Sequence, residues 1–217
     1  MIARLFAEAL GTFFLFATVM GAGIMADNLA GGNVAVALIG TTLPIGAILY
    51  VIIVMLGPVS GAHFNPVVTL VMRLRGEIAS GAAFAYVAVQ IASGILAAFA
   101  VHLMFDLPIL QIADTPRTGI GQWAGEVVAT FGLILTILAT VRTKPEAVPI
   151  SVALYIFAAC WFTSSTSFAN PAITIARSFT DTFTGIAPGD IPAFVIAQVA
   201  GALAAMGAMR VLFPDPA

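Results

Sequence analysis

Two Asn-Pro dipeptides constrain this chain more than any other feature. Ser60-Gly61-Ala62-His63-Phe64-Asn65-Pro66-Val67-Val68-Thr69 is echoed by Ser167-Phe168-Ala169-Asn170-Pro171-Ala172-Ile173-Thr174, about half of the 217-residue chain further on. Proline at the first position of a helix sacrifices no hydrogen bond and presets φ, and asparagine before it is a good cap. The pattern predicts two short helices that begin at Pro66 and Pro171.

Their surroundings decide what they mean. In a soluble protein two such dipeptides would be ordinary turns. Here 61% of the residues are hydrophobic and only 8% charged, where a soluble domain has roughly 25% charged residues, and the mean hydropathy is +1.09. The expected class is an all-α integral membrane protein. A helix needs roughly 20 residues to cross a bilayer, so each short helix is half a span. Irregular backbone at membrane depth is tolerated only where it is buried or lines a cavity, and a half-helix presents a positive N-terminus to the midplane. The pair therefore marks a pore or a binding site.

Apolar runs of spanning length cover 5–26, 34–56, 80–105, 119–141, 147–165 and 190–213, which predicts six spans plus the two half-helices. The first run, after Arg4, is long and carries Glu8, so it reads as a retained span and not as a signal peptide. Arg4, Arg73, Arg75, Arg142, Lys144 and Arg210 fall on one side of a six-span chain, and Arg117 and Arg177 on the other. The basic side is expected to be cytoplasmic, with both termini there. Three spans in each half make the second copy enter from the opposite side, as inverted repeats of approximately 1–107 and 118–217 with a site between them.

Glu8 in the first span has a counterpart in Glu126 of the fourth, each followed by a threonine one turn later, Thr12 and Thr130. A carboxylate within a span is costly and faces the bundle interior. The two are expected to accept hydrogen bonds from backbone N–H groups in the loops before the half-helices; the alternative is proton carriage. His63 is expected to line the cytoplasmic half of the path, His102 to be a satisfied polar or interface residue, and Cys160 to be a small hydrophobe. A single cysteine excludes an internal disulfide. No metal site and no cofactor is expected, and a net charge of −2 without a basic run gives no sign of nucleic-acid binding.

These motifs resemble those of the major intrinsic protein family, the aquaporins and aquaglyceroporins, over essentially the full length. The matching residues are Ala7-Glu8 with Gly11-Thr12, Ser60 to His63 with Asn65-Pro66-Val67-Val68-Thr69, Glu126, and Asn170-Pro171-Ala172. The resemblance implies one membrane channel domain over 1–217, with six helices, two re-entrant half-helices and one pore per subunit. It also implies a homotetramer in the cell inner (plasma) membrane. At the midplane it implies Asn65, Pro66, Val67, Asn170, Pro171 and Ala172, the two side-chain amides donating to a passing oxygen.

The chain departs from the family pattern in three places. The first motif reads Asn-Pro-Val, placing the bulk of Val67 near the midplane. Ile173 stands where most members have the arginine of the outer filter, and the nearest arginine, Arg177, is four residues on; it is expected in the outer vestibule or paired with Asp181. Counting back from the motifs, the other filter positions fall on Ile45, on Ala158 or Ala159, and on Ser167 or Phe168. These residues suggest a widened, arginine-less and apolar filter. The expected function is a passive channel, and not an enzyme, for small neutral solutes: water, glycerol-like polyols, urea, and undissociated or methylated arsenicals. The last follow from the run Asn170 to Arg177, which is similar to that of bacterial aquaporin-like channels associated with arsenic resistance. The alternative is a secondary transporter, for which the sequence shows no converging coupling-ion site.

Overall fold

The computed structural model describes residues 1–214; the last three residues of the expected second repeat lie outside the described residues. Long apolar segments in a bilayer can satisfy their backbone only within themselves, so they close into helices. Six such helical segments have the length and hydropathy to cross a membrane: α1 (Ile2–Leu29), α2 (Val34–Ser60), α4 (Ser80–Met104), α5 (Ile120–Thr143), α6 (Val148–Phe162) with the helical turn Pro145–Ala147 before it, and α8 (Ile191–Leu212) with the turn Pro188–Asp190 before it. Between them lie two short ones, α3 (Pro66–Leu74) and α7 (Pro171–Ala176). The order long, long, half, long therefore occurs twice, and the described residues contain no strand.

Four helix ends differ most from those expected. α1 continues past both ends of 5–26, because charged Arg4 and Asp27 stop a hydropathy reading without stopping the hydrogen-bond ladder. α2 runs through Pro58 to Ser60; the ring removes one donor, not the helix. α6 ends at Phe162 instead of 165, where Thr163 turns extended and starts the loop down to the second Asn-Pro.

Six crossings place the start of α1 and the end of α8 on one face, the terminal face. The segments 105–119 and 177–190 meet on the opposite, loop face. They are tied there by Ala113 N donating to the Ser178 carbonyl and Ala187 N to the Thr115 carbonyl. His102 joins the same junction: its Nδ1 lies 2.9 Å from the Ile109 carbonyl and its Nε2 2.9 Å from Thr180 Oγ1. It is fully buried with both ring nitrogens partnered.

Small residues let the helices close up where lipid provides no hydrophobic drive. At Gly201 of α8 a Cβ would overlap the Val127 carbonyl of α5, and at Gly11 of α1 it would overlap the Phe64 ring. The second contact holds the first re-entrant loop against α1. Leucine, isoleucine and phenylalanine instead crowd the outer surfaces of the helices, as at Phe84, Ile120 and Ile196, where lipid is their solvent.

Candidate functional site

Each half-helix starts on its asparagine. Asn65 Oδ1 accepts from Val67 N at 3.0 Å, and Asn170 Oδ1 accepts from Ala172 N at 3.0 Å. The amide nitrogens cross between the halves: Asn65 Nδ2 donates to the Ala169 carbonyl at 2.7 Å, and Asn170 Nδ2 to the Phe64 carbonyl at 2.9 Å. An amide nitrogen carries two hydrogens, so each asparagine keeps one that these bonds do not use. Both asparagines line one cavity of about 160 Å³.

The approach loops owe their shape to the carboxylates. Ala62, Phe64, Ser167 and Ala169 all have φ between 45° and 52°, a region that non-glycine residues seldom occupy. Glu8 holds the first loop: Oε1 accepts from His63 N at 2.9 Å and Ser60 Oγ at 2.7 Å, and Oε2 from Phe64 N at 2.8 Å. Glu126 holds the second, accepting from Phe168 N and Ala169 N at 2.9 Å each. This is the hydrogen-bonding geometry expected of the two residues. Two glutamines not singled out from the sequence complete it. Gln90 Nε2 bridges Glu8 and Thr69 Oγ1, and Gln198 Nε2 bridges Glu126 and Thr174 Oγ1. Their sequence signal was a lone amide in an apolar span of each half. Thr12 and Thr130 take no part: their buried hydroxyls have no partner among the described residues.

Pro66, Val67, Pro171 and Ala172 are buried beside the asparagines but are absent from the cavity wall, so the bulk of Val67 does not reach it. Asn65, Val68, Asn170 and Ile173 form that part of the wall. His63 lines it toward the terminal face, its Nδ1 3.1 Å from Thr69 Oγ1 and its ring edge-to-face with Tyr86.

A second cavity, of about 230 Å³, opens toward the loop face. Five residues line both cavities and so form the neck between them: Val19, Ile45, Cys160, Thr166 and Arg177. Ile45 falls at the neck. Ala158 and Ala159 do not, and the count is corrected by one or two residues to Cys160. The wall of α6 is the row Val148, Val152, Ile156, Cys160, spaced by four as one helix face requires. Ala158 points away to the exposed side and Ala159 is packed between helices. Ser167, Phe168 and Ile173 line only the terminal-side cavity.

Arg177 lines the loop-side cavity as well as the neck, and the expected pairing with Asp181 is not formed. Its Nε donates to the Thr184 carbonyl and its guanidinium carbon stacks 3.4 Å from the centre of the Phe168 ring. Asp181 instead accepts from Asp114 N. Arg117 is the second cation there, its guanidinium carbon 5.1 Å from the same ring and its Nε donating to the Gly185 carbonyl. Burial lowers the pKa of Arg117 from its ordinary value, opposed by the Glu126 charge. Arginine stays protonated at neutral pH all the same.

Comparison with known proteins gives concordant results. Residues 1–167 match the family described as Major intrinsic protein. The chain is 55% identical to "Aquaglyceroporin AqpS" of Rhizobium meliloti (strain 1021), over 95% of this chain and 88% of that protein. It is 32% identical to "Probable aquaporin NIP-type" of Nicotiana alata, over 67% of this chain and 53% of that protein. Its fold superimposes on that of the aquaglyceroporin from Plasmodium falciparum with a TM-score of 0.75, covering 98% and 97% of the two chains at 18% identity.

Proposed function

Because the chain belongs to the major intrinsic protein family, we propose that its two cavities are one continuous pore for small neutral solutes, water and glycerol first among them. A passive channel, and not an enzyme, is what membership of this family means. The observation that carries the solute reading is the neck. Three of its five residues, Val19, Ile45 and Cys160, offer no strong hydrogen-bonding group, and the hydroxyl of Thr166 and the guanidinium of Arg177 sit among them. One polar wall against an apolar remainder suits a molecule with a hydroxylated edge and a carbon backbone. Glycerol-like polyols, urea, and undissociated or methylated arsenicals share that character. The two free asparagine N–H groups then orient the solute's oxygens at the midplane, where the positive half-helix ends repel cations.

In this reading the halves 1–107 and 118–217 are inverted repeats of one channel domain, and the terminal face is cytoplasmic. The support is its Arg4, Arg73, Arg75, Arg142, Lys144 and Arg210. The likeness to a bacterial relative favours the plasma membrane, and four copies side by side would each carry a pore. The second reading, a secondary transporter, has no observation in its favour: among the described residues no three of His, Cys, Asp and Glu converge on one point.

Stopped-flow light scattering on proteoliposomes tests the proposal. Glycerol and urea should cross rapidly and without saturation, water with them; saturable, ion-dependent uptake would overturn the channel. Cys160 supplies a block. It is the chain's one cysteine and lines the neck. A mercurial that bonds its sulfur, with loss of the thiol proton, should reduce glycerol flux to the lipid background. Cys160→Ser should conduct and resist the reagent; persistent sensitivity would remove Cys160 from the neck.

A further inference from the structure

Two cations share the loop-side cavity, Arg177 buried and Arg117 half-buried, and neither has an acidic side-chain partner among the described residues. Arg177 is 6% exposed, and beyond its Nε bond its terminal nitrogens have no acceptor among the described residues. Arg117 spends its Nε and one terminal nitrogen on the carbonyls of Gly185 and Phe183. The single ion pair among the described residues, Arg75 with Glu77, lies on the opposite face. The nearby carboxylates are engaged elsewhere: Asp181 accepts from Asp114 N, Asp190 from Arg117 N, and Glu126 from the re-entrant loop. Thr184, a residue of the same cavity wall, adds a buried hydroxyl with no partner among the described residues. Buried charges and polar groups are ordinarily paired, so these donors together have the character of an anion site.

The rest of the wall sets the size and shape of the occupant. Val34, Leu38 and Ile45 form an apolar side of the same cavity. We propose that the cavity binds one short-chain monocarboxylate as its anion, the carboxylate bridging Arg177, Arg117 and the Thr184 hydroxyl with its alkyl tail on Val34, Leu38 and Ile45. A planar carboxylate matches the two-pronged guanidinium. Because Arg177 belongs to the neck, the bound anion sits across the solute path and plugs it. The inner wall beyond is mainly apolar and holds no further arginine, so the charge stays at the mouth and does not permeate. This plug rests on the reading of the two cavities as one pore.

The test uses the full chain in proteoliposomes equilibrated on both sides, at pH 7 and constant ionic strength, with chloride, phosphate or butyrate. Glycerol flux in chloride tests the pore itself, so failure of the channel reading is seen separately. Butyrate should slow glycerol flux at least five-fold in a saturable manner, and phosphate, lacking a tail, should need at least ten times the concentration. Arg117→Gln should lose the ratio between the chloride and butyrate rates. As a readout independent of flux and of any variant's folding, butyrate should raise the melting temperature of the detergent-solubilised wild-type protein above its value in chloride. Equal rates and equal melting temperatures in the three salts overturn the site. Phosphate as effective as butyrate overturns the monocarboxylate assignment.

Discussion

Glu126→Leu should abolish the flux of every solute and lower the melting temperature of the detergent-solubilised protein by on the order of 10 °C. Leucine approximates the volume of glutamate but accepts nothing. The Phe168 and Ala169 amides, now on Glu126 at 2.9 Å each, would be left buried without an acceptor, and Gln198 Nε2 would lose its 2.6 Å bond and keep only Thr174 Oγ1. Each such orphan costs about 1–3 kcal/mol, against a total stability of about 5–15 kcal/mol for a typical domain. The loop they belong to already holds Ser167 and Ala169 at positive φ, a strained backbone that persists only when its surroundings over-determine it. Released, it would carry Asn170 off the midplane. Glu126→Gln separates this role from proton carriage. It keeps one acceptor oxygen but turns an amide hydrogen toward donors, so an anchor predicts a smaller fall in melting temperature together with reduced flux. A variant with wild-type melting but altered pH dependence of flux would instead make Glu126 a proton carrier.

How much of this was legible beforehand follows from what kind of signal each residue gives. Asn65 and Asn170 were readable because a cap followed by proline is a local event, and because two such events in equivalent places cannot both be turns in a chain this apolar. Glu8 and Glu126 were readable because a charge in a span demands a partner. Gln90 and Gln198 carry no charge and make no such demand; they become visible only when α4 and α8 bring them onto the carboxylates. The neck was legible at Ile45 but not at Cys160. Counting back along a loop cannot tell which of three successive helical residues, each turned about 100° from the last, faces inward. The spacing of Val148, Val152, Ile156 and Cys160 held the answer, hidden because α6 is apolar on every side. Arg177 was expected in the outer vestibule or paired with Asp181, and the second of these is not formed. Its partners, the Thr184 carbonyl and the Phe168 ring, lie on one loop that folds back and another that descends, and neither relation is written in local sequence.

Ile173→Arg should cut glycerol flux about ten-fold or more, equivalent to at least about 1.4 kcal/mol of added barrier, while water falls by much less. Ile173 lines the terminal-side cavity one turn before Arg177, and a helical turn advances about 5.4 Å. An arginine there would extend along the same face to the neck, adding bulk where a carbon backbone must slide and a second positive charge beside the first. Water, small and fully hydrogen-bonding, tolerates a narrow polar ring; glycerol needs the apolar wall that isoleucine provides. The repulsion between the two guanidiniums makes the double variant Ile173→Arg with Arg177→Leu the decisive companion. It returns the neck to a single arginine, moved by one turn, and should recover melting temperature relative to Ile173→Arg while keeping the water-favouring selectivity. Arg177→Leu alone should retain glycerol flux and admit cations that the wild-type neck refuses, read as a conductance across planar bilayers. Unchanged solute selectivity in Ile173→Arg would mean that residue 173 does not meet the passing solute. The apolar wall that favours polyols would then have to be sought at Ile45 and Cys160 alone.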